Sequence, residues 1–430
     1  MVEKKIFRAP SGTRDILAPE SYRWQKLISI FSHIVESANY GLVINPLFEE
    51  VGVFTRGMGE ASEVVKKEMY EFTDKGNRTL ALRPEGTASV VRSFVQNRPV
   101  LPWKAWYVTP AFRYERPQAG RYRQHHQIGV EVIGIQDPDL DVEIVSLMSQ
   151  LYQALGLSKI ELKINSIGDE QCSFSYRQLL LEFLTQRQDE LCEEHKQSYS
   201  YNPLRVLDCK KISCISLTEQ APKLLDNLCN DCYAHFDRFQ NGLKSLGIEF
   251  KIDHRLVRGF DYYTRTTFEF VGLALDAAQN GIGGGGRYNG LVESLGGPSE
   301  AGIGFGIGIE RLLLACDAED VFQIKPSQID IFVVDVTGGD QARDLTYRLR
   351  QAGLKADRAF GSKSMRSQLR LAHRLGAKAA LIIGSEELEA KKVALRWLNQ
   401  EILEDGVEKS QQLIDSSEII SYLKDLSEFH

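Results

Sequence analysis

The segment Ala111-Phe-Arg-Tyr-Glu-Arg-Pro-Gln-Ala-Gly-Arg-Tyr-Arg-Gln-His-His-Gln-Ile-Gly-Val-Glu131 is the most informative part of the chain. It places four arginines around a turn between two strand-like stretches. Because side chains alternate between the two faces of a strand, Gln127, Gly129 and Glu131 are expected on one face and the apolar residues between them on the other. The sequence therefore predicts a strand with a core face and a polar face.

The first strand of this hairpin carries a charged pair. Arg113 and Glu115 are two residues apart and are expected to share a strand face. A guanidinium for phosphate oxygens would then lie near a carboxylate that accepts an amine donor. An exposed, salt-bridged hairpin is the alternative interpretation.

Two glycine-rich stretches follow later in the chain. The first, Gly281-Ile-Gly-Gly-Gly-Gly-Arg-Tyr-Asn-Gly290, is predicted to be a flexible loop, and it lacks the Lys-Ser/Thr of a P-loop. The second, Ala301-Gly-Ile-Gly-Phe-Gly-Ile-Gly-Ile-Glu-Arg311, alternates glycine with apolar residues and predicts a strand with one bare face. Such a face suits a flat planar ligand, with Arg311 placed to reach a polyphosphate. A helix packed over the glycines is the alternative.

The wider pattern predicts an α+β protein of more than one domain. A length of 430 residues implies two to four domains. An amphipathic helix from Ser21 precedes antiparallel strands, and we assign residues 1–325 to this domain. Polar helical segments, such as 176–188 and 221–246, occur within 167–253, which holds six of the seven cysteines and forms an inserted helical subdomain. Strands and helices alternate again at 329–430, which predicts a separate α/β domain.

Composition excludes several classes of protein. The apolar share of 43% and charged share of 26% are those of an ordinary globular chain. The net charge of −6 gives no general affinity for nucleic acid, so any such site is a local patch. No apolar run approaches the roughly 18 residues of a membrane helix, and the N-terminus has no secretory pattern. We expect a cytoplasmic protein with reduced cysteines.

One local basic patch stands out near the end of the chain. The predicted helix from Lys363 carries its positive charges on one face, at Lys363, Arg366, Arg370 and Arg374. Its apolar residues Met365, Leu369 and Ala372 are expected on another face. A solvated helix face is the alternative interpretation.

Together these segments resemble the class II aminoacyl-tRNA synthetases and, within them, the histidyl-tRNA synthetases. Arg113-Tyr-Glu115 is similar to the second class signature, Gly304-Phe-Gly-Ile-Gly-Ile-Glu-Arg311 to the third, and 41–46 to the first, which lies at the dimer interface. Two segments resemble the histidine-specific motifs of the family, namely Leu256-Val-Arg-Gly-Phe-Asp-Tyr-Tyr263 and Gly285-Gly-Arg-Tyr-Asn-Gly-Leu-Val292. The segment Arg83-Pro-Glu-Gly-Thr87 resembles the family's amino-acid loop.

The resemblance implies an antiparallel-sheet catalytic core, an anticodon-binding C-terminal domain and an activity. Histidine would be activated with ATP and Mg²⁺ and transferred to tRNA(His) by a cytoplasmic homodimer without a tightly bound cofactor. Arg113 and Arg258 are the implied catalytic residues, and ATP is implied to contact Arg113, Glu115 and Arg311. The basic helix face would then contact RNA phosphates through Lys363, Arg366, Arg370 and Arg374.

The resemblance also implies a histidine site. Its α-amino group would be held by Glu85, Thr87 and Gln127. Glu131 and Tyr263 would face the imidazole, and the remaining implied contacts are Arg258 and Tyr262. In a regular strand Tyr262 and Tyr263 would point to opposite faces, so only one of them should touch the ring.

The cysteines raise the question of a metal. Cys229-Asn-Asp-Cys232 has the spacing of a zinc knuckle. The second pair that such a site needs is irregular, since four residues separate Cys209 from Cys214, and the family is not generally zinc dependent. We therefore expect no structural zinc. The adjacent His125 and His126 would point to opposite faces of a strand, and we assign them no metal.

Two other functions are compatible with parts of this pattern. One is a histidine-binding regulatory subunit of ATP phosphoribosyltransferase, which resembles only the catalytic core. The other is a noncatalytic RNA-binding or kinase-associated module on the same fold. Both are disfavoured, because the C-terminal domain and the arginines Arg113, Arg258 and Arg311 are all present.

Overall fold

The computed structural model of the chain describes residues 6–59, 62–257, 259–260, 262–276, 280–324, 329–361, 363–398 and 411–426. The chain divides into two compact units, Met1–Gln323 and Ile324–His430. None of the helices in the described ranges is both long and apolar enough to cross a lipid bilayer.

The first unit combines strands with helices throughout its length. Its strands are β1 Gly41–Leu42, β2 Phe48–Glu50, β3 Tyr70–Thr73, β4 Thr79–Leu82, β5 Trp103–Phe112, β6 Gln124–Ile133, β7 Ile160–Ser166, β8 Lys251–Ile252, β9 Thr264–Gly272, β10 Gly281–Arg287 and β11 Gly302–Gly308. Its α-helices are α1 Glu20–Ser37, α2 Val51–Met58, α3 Thr87–Asn97, α4 Pro138–Ala154, α5 Glu170–Gln186, α6 Glu193–Lys196, α7 Ile212–Thr218, α8 Asn230–Ser245, α9 Leu291–Ser294 and α10 Ile309–Ala318.

The described strands of this unit form two sheets. The larger has the order β1-β5-β6-β11-β10-β9-β7-β8, and the smaller has the order β2-β4-β3. Neighbouring strands from β5 across to β7 are antiparallel, whereas the edge pairs β1/β5 and β7/β8 are parallel. The predicted antiparallel core is therefore confirmed.

Helices cover the core face of the large sheet. The buried residues of α1 recur at helical spacing. They are Trp24, Leu27, Phe31 and Val35. They join Ile128, Val130 and Val132 of β6 in one hydrophobic core, as the alternation along that strand predicts. Helix α4 packs between α1 and α8, and Gly242 lets α8 approach Val142 closely, because any side chain at 242 would overlap it.

The inserted helical subdomain lies between β7 and β8. Its helix α8 adds Phe236, Phe239 and Leu243 to the main core, while α5 and the short helices enclose a smaller core of their own. The sequence predicts one helix over 221–246, but this prediction is wrong at its start. A 3₁₀ turn occupies Leu224–Asn227, and α8 begins only at Asn230, where the side chain of Cys229 accepts a hydrogen bond from the Cys232 amide.

A buried ion pair ties β10 to α4. The side chains of Arg287 and Asp141 are both completely buried, with Arg287 Nη2 2.5 Å and Nε 2.9 Å from Asp141 Oδ2. Arg287 also donates to the carbonyl oxygens of Ile135 and Asp137 at 2.9 and 2.8 Å. His235 of α8 lies 3.2 Å from Asp141. Because every charge has partners, this network fixes the sheet against its helices.

The second unit is the α/β domain that the sequence predicts. Three parallel strands and two antiparallel ones form its described sheet in the order β13-β12-β14-β15-β16. Its elements are β12 Ile331–Asp335, α11 Asp340–Gln351, β13 Ala356–Arg358, α12 Met365–Arg374, β14 Ala379–Ile383, α13 Ser385–Glu389, β15 Lys392–Trp397, β16 Gln412–Asp415 and α14 Ile419–Lys424.

Candidate active site

A buried carboxylate stands on the polar face of β6. Glu131 is fully buried and accepts hydrogen bonds from Thr87 Oγ1 at 2.7 Å and Tyr288 Oη at 2.5 Å, with Tyr107 Oη at 3.4 Å. Burial raises the pKa of Glu131 well above its usual range, and these hydrogen bonds only partly offset that effect. The sequence places Glu131 correctly, because the local strand alternation determines its face.

A second carboxylate lies at the start of α3. Glu85 is buried and accepts hydrogen bonds from the amides of Thr87 and Ala88 at 2.7 and 2.8 Å. Burial nevertheless raises the pKa of Glu85, and the charge of Glu85 also raises the pKa of Glu131. The side chain of Gln127 joins this group by accepting from the Gly86 amide at 3.2 Å. Because Glu85 disfavours ionisation of Glu131 and both are buried, the pocket that they share is suited to a cationic ligand.

Tyrosine rings line the same pocket. The prediction that Tyr262 and Tyr263 point to opposite faces is wrong, because both precede β9, which begins at Thr264. Their ring centroids are only 4.5 Å apart, and Tyr262 also meets the Tyr288 ring edge-on at 5.9 Å. Tyr262 is buried and Tyr263 is half-buried. Both tyrosines therefore belong to one aromatic cluster.

Arginines gather beyond the other end of the polar face. Strand β5 ends at Phe112, so Arg113 and Glu115 lie in the following loop rather than on one strand face as predicted. They still approach each other, with Arg113 Nη1 3.9 Å from Glu115 Oε1, and Arg121 Nη1 lies 3.3 Å from Glu115 Oε2. Arg113 also donates to the Pro84 carbonyl at 2.9 Å, which connects it to the loop that carries Glu85.

Arg311 faces this arginine cluster from the start of α10. Its Nη1 donates to the Gly281 carbonyl oxygen at 3.0 Å. Burial lowers the pKa of Arg311, and the charges of Arg121 and Arg113 lower it further. Three guanidinium groups that repel one another form a strong site for a polyanion, because bound phosphates would relieve that repulsion.

The two histidines of the hairpin point to different surroundings. His126 contacts Glu310 through its amide and through Nδ1, which is 2.9 Å from Oε1. His125 instead faces the arginines. Burial lowers the pKa of His125 to about 3, with further lowering by Arg113, His126 and Arg311. These separate surroundings agree with the prediction that the two side chains point to opposite faces of the strand.

The glycine-rich stretches are neighbouring strands. The prediction of a loop over 281–290 is wrong, because Gly281–Arg287 is strand β10, paired with β9 and β11. The glycine face of β11 is covered by other side chains at one end and free at the other. A side chain at Gly302 would overlap the Tyr288 ring and one at Gly304 would overlap the Glu131 carboxylate. A Cβ at Gly306 would come no nearer than 3.8 Å to Tyr107, so room for a planar ligand remains at the end towards Arg311.

Sequence reasoning missed two tyrosines of the pocket. Tyr288 stands in a motif that the sequence singles out, but nothing in that motif shows that its hydroxyl meets Glu131. Tyr107 lies directly across from Gly129 in the β5/β6 pairing, and its ring occupies the space that a side chain at Gly129 would need. The sequence signal that could have indicated this tyrosine is Gly129 itself, because a glycine on the polar face of β6 leaves room for a large side chain of the neighbouring strand. Arg258, by contrast, lies outside the described residues.

The basic helix of the second unit is α12. Lys363, Arg366, Arg370 and Arg374 are all exposed. The predicted apolar face is wrong at Met365, which is 39% exposed, and the buried residues are Gln368 and Ala372. Gln368 is buried because its side chain accepts from the Asp335 amide at 3.1 Å and donates to the Asp335 carbonyl at 2.7 Å.

The sequence that forms this site matches the profiles of known protein families. The profile described as histidyl-tRNA synthetase matches residues 12–170 and 182–312. The chain belongs to the histidyl-tRNA synthetase family. The profile described as an anticodon binding domain matches residues 328–426, in the second unit. The class II fold expected from the sequence is confirmed.

Individual relatives of the histidyl-tRNA synthetase family agree over nearly the whole chain. The histidine–tRNA ligase of Caldanaerobacter subterraneus subsp. tengcongensis is 43% identical over 416 residues, or 94% of this chain and 99% of the relative. The crystal structure of the apo S. aureus histidyl-tRNA synthetase has a TM-score of 0.80 and 35% identity, covering 97% of this chain and 100% of its own.

A further solved structure has the same fold. It is an ATP phosphoribosyltransferase regulatory subunit/histidyl-tRNA synthetase from Bacillus halodurans C. Its TM-score is 0.65 at 19% identity, over 89% of this chain and 100% of its own. At that identity the likeness shows the fold alone.

Proposed function

We propose that the chain is an ATP-dependent histidine–tRNA ligase. The observation that carries this proposal is the division of one sheet face into two chemically opposite halves. One half holds the buried carboxylates Glu85 and Glu131. The other is bordered by the arginines, and the open glycine Gly306 of β11 lies between the halves. A cationic amino acid and a polyanionic nucleotide therefore fit side by side.

The first step forms histidyl-adenylate. A carboxylate oxygen of histidine attacks the α-phosphorus of MgATP, the bond from that phosphorus to the β-phosphate oxygen breaks, and pyrophosphate leaves. Both reactants are anions, so fixed positive charge and positioning supply the catalysis. Arg113 holds the α-phosphate, Arg258 acts beside it and Arg311 binds the γ-phosphate. Glu115 accepts the adenine amino group.

The pocket selects histidine by its ring and its ammonium group. Glu85, Thr87 and Gln127 hold the α-amino group. The ring is contacted by Glu131, Tyr262 and Tyr263, and the remaining proposed contact is Arg258. Because Glu131 is buried, an amino acid without a ring N–H would leave it short of a donor, a penalty worth about 10⁴- to 10⁵-fold in selectivity. No separate editing step is required.

The second step moves histidine to RNA. A hydroxyl of the terminal ribose of tRNA(His) attacks the carbonyl carbon of the adenylate, and AMP leaves. Lys363, Arg366, Arg370 and Arg374 contact tRNA phosphates, and the second unit binds the anticodon. The exposure of all four side chains on and beside α12 supports this role.

We also propose a cytoplasmic homodimer. The edge of the large sheet at β1 and the segment that follows expose apolar side chains, namely Leu42, Ile44, Leu47 and Phe48. Ile44 is 85% exposed. Exposed apolar residues concentrated at a sheet edge favour burial against a second copy. Light scattering coupled to gel filtration tests this, and a monomer at micromolar concentration would contradict it.

Charging of tRNA tests the proposed function. The purified protein is incubated with MgATP, total bacterial tRNA and one labelled amino acid at a time. Label from histidine alone should enter acid-precipitable RNA. Histidine binding without charging would instead favour the regulatory-subunit alternative, and binding of RNA with neither histidine binding nor charging would favour the noncatalytic module.

A further inference from the structure

The inserted helical subdomain contains two clusters of metal-ligating side chains. The first cluster consists of Cys192, His195, Cys209 and Cys214, and the second of Asp169, Cys172, Cys229 and Cys232. Within each cluster, one ligand atom from every residue lies within 4.8 Å of all the others. Six of the seven cysteines of the chain are used in this way. Neither cluster takes part in the proposed reaction.

The first cluster has the dimensions of a tetrahedral zinc site. Cys192 Sγ lies 3.1 Å from His195 Nδ1 and 4.0 Å from Cys209 Sγ, and Cys214 Sγ lies 3.9 Å from His195 Nδ1. A zinc ion with bonds of about 2.3 Å to sulfur and about 2.0 Å to nitrogen separates its ligand atoms by about 3.5 to 3.8 Å. The cluster therefore needs only small movements to enclose an ion.

The sulfurs of the first cluster are shielded from water, and one of them receives a peptide N–H group. Cys192, Cys209 and Cys214 are 8%, 8% and 0% exposed. The Cys192 amide donates to Cys214 Sγ at 3.3 Å. Peptide N–H groups directed at sulfur stabilise the charge that a metal-bound thiolate carries.

The first cluster joins three short segments of the subdomain. Cys192 directly precedes the four-residue helix α6, and His195 lies in it. Cys209 follows a 3₁₀ turn at Pro203–Val206, and Cys214 is in the seven-residue helix α7. Small domains with short elements usually need a disulfide or a metal in addition to their core. An ion here would hold these three segments together.

The second cluster joins the starts of the two long helices of the subdomain. Asp169 caps α5 by accepting from the Cys172 amide at 2.9 Å, and Cys229 caps α8. The Cys229 amide donates to Cys172 Sγ at 3.1 Å, and Cys229 Sγ lies 3.4 Å from Asp169 Oδ2. The two caps thus converge on one point, where three sulfurs and a carboxylate oxygen can form a tetrahedral set.

We propose that the subdomain binds two structural zinc ions, one in each cluster. Thiolate and imidazole ligands select zinc over magnesium or calcium, and four protein ligands leave no open position for catalysis. The expectation of no zinc rested on pairing Cys229 and Cys232 with Cys209 and Cys214. The structure separates these pairs, and each finds its partners elsewhere in the subdomain, so the irregular spacing is no argument against zinc.

Metal analysis of the full-length protein tests the proposal. The protein is purified without chelators from cells grown with zinc, and zinc per chain is measured by mass spectrometry. Two equivalents are expected. Cys214→Ser and Cys232→Ser should each lose one equivalent, whereas Cys316→Ala, which changes the cysteine outside both clusters, should lose none. A variant that keeps the full zinc content overturns the site to which its cysteine belongs.

Two measurements on the unaltered chain keep the test independent of variant folding. Seven thiols should react after denaturation with chelator present, whereas five or fewer would reveal a disulfide and overturn at least one site. Chains grown with Co²⁺ instead of zinc should show the intense visible absorption of tetrahedral cobalt with thiolate charge-transfer bands. Weak octahedral absorption would overturn both sites.

Discussion

Glu131 and Gly304 face each other directly across the β6/β11 pairing, and the Glu131 carboxylate occupies the space where a side chain at 304 would begin. A Cβ at 304 would also overlap the Val130 carbonyl oxygen, so close packing against β6 rather than backbone freedom requires glycine here. Strand β11 supplies room for the amino-acid pocket at one end and for a planar ligand at the other.

Replacing Gly304 should damage the histidine pocket. The methyl group of Gly304→Ala would overlap both the Glu131 carboxylate and the Val130 carbonyl oxygen, and overpacking of this kind costs about 1 to 3 kcal/mol. We expect the KM for histidine in amino-acid-dependent pyrophosphate exchange to rise at least about tenfold. Gly308→Ala is the matched control for folding, because a Cβ there meets no described atom within 4 Å, so its melting temperature should be that of the parent. An unchanged KM in Gly304→Ala contradicts the account.

The hydroxyl of Tyr288 should contribute to amino-acid selection. Tyr288→Phe removes the 2.5 Å donor to Glu131 and leaves a buried carboxylate short of a partner, at a cost of about 1 to 3 kcal/mol. The kcat/KM for histidine should fall by about 5- to 150-fold while the KM for ATP stays unchanged. Tyr152→Phe provides the control, since the buried Tyr152 hydroxyl has no hydrogen-bond partner among the described residues. Equal losses in both variants would show that only packing matters.

The Arg287–Asp141 pair should be essential for stability. Arg287→Met leaves the completely buried Asp141 without its main cation, and we expect the free energy of unfolding to fall by about 3 to 5 kcal/mol. Denaturation by urea measures this change. Arg238→Ala breaks an exposed ion pair that also reaches α4, between Arg238 of α8 and Asp139, and should leave the urea midpoint where it is. A parent-like midpoint for Arg287→Met would refute the role given to the pair.

His125 should make stability depend on pH in mildly acidic solution. Its pKa is about 3 in the folded chain and about 6.5 when unfolded, so between these values only the unfolded chain takes up the proton. The contribution is therefore fully present above about pH 6.5 and decreases as the pH falls towards 3.

Denaturation at several pH values checks this effect. His125→Gln should lose less stability than the parent between pH 7 and pH 4. The exposed His33 provides a control, and His33→Gln should follow the parent curve. Parallel curves for the parent and His125→Gln would contradict the burial argument.

The arginines of α12 should act on RNA binding alone. Arg370→Ala removes one phosphate contact, so the KM for tRNA should rise several-fold and the slope of binding against salt should decrease by about 1. Pyrophosphate exchange, which needs no RNA, should be unchanged. Arg343→Ala on α11 removes another exposed arginine and should affect neither measurement. A loss of exchange in Arg370→Ala would point to misfolding instead.

Patterns confined to one element were predictable from the sequence. The burial of Ile128, Val130 and Val132 followed from the alternation of β6, and the buried stripe of α1 from its helical spacing. The strand–helix alternation of the second unit is equally local. Such patterns are reliable because a single periodicity decides which side chains meet the core.

Features that depend on neighbouring elements were not predictable. A run of glycines has no periodicity, and the strand over Gly281–Arg287 exists because β9 and β11 supply its hydrogen bonds. Tyr262 and Tyr263 share one cluster because β9 begins only after them. The two cysteine clusters are assembled from segments far apart in the chain, which spacing alone cannot pair.

The most direct test of the central claim is amino-acid-dependent exchange of labelled pyrophosphate into MgATP, run separately with each of the twenty amino acids. Exchange should occur with histidine alone, disappear in Arg113→Ala and survive in Arg78→Ala, which changes an exposed arginine paired with Asp74. Absence of exchange with every amino acid, from a protein that still binds histidine, would contradict the proposed ligase.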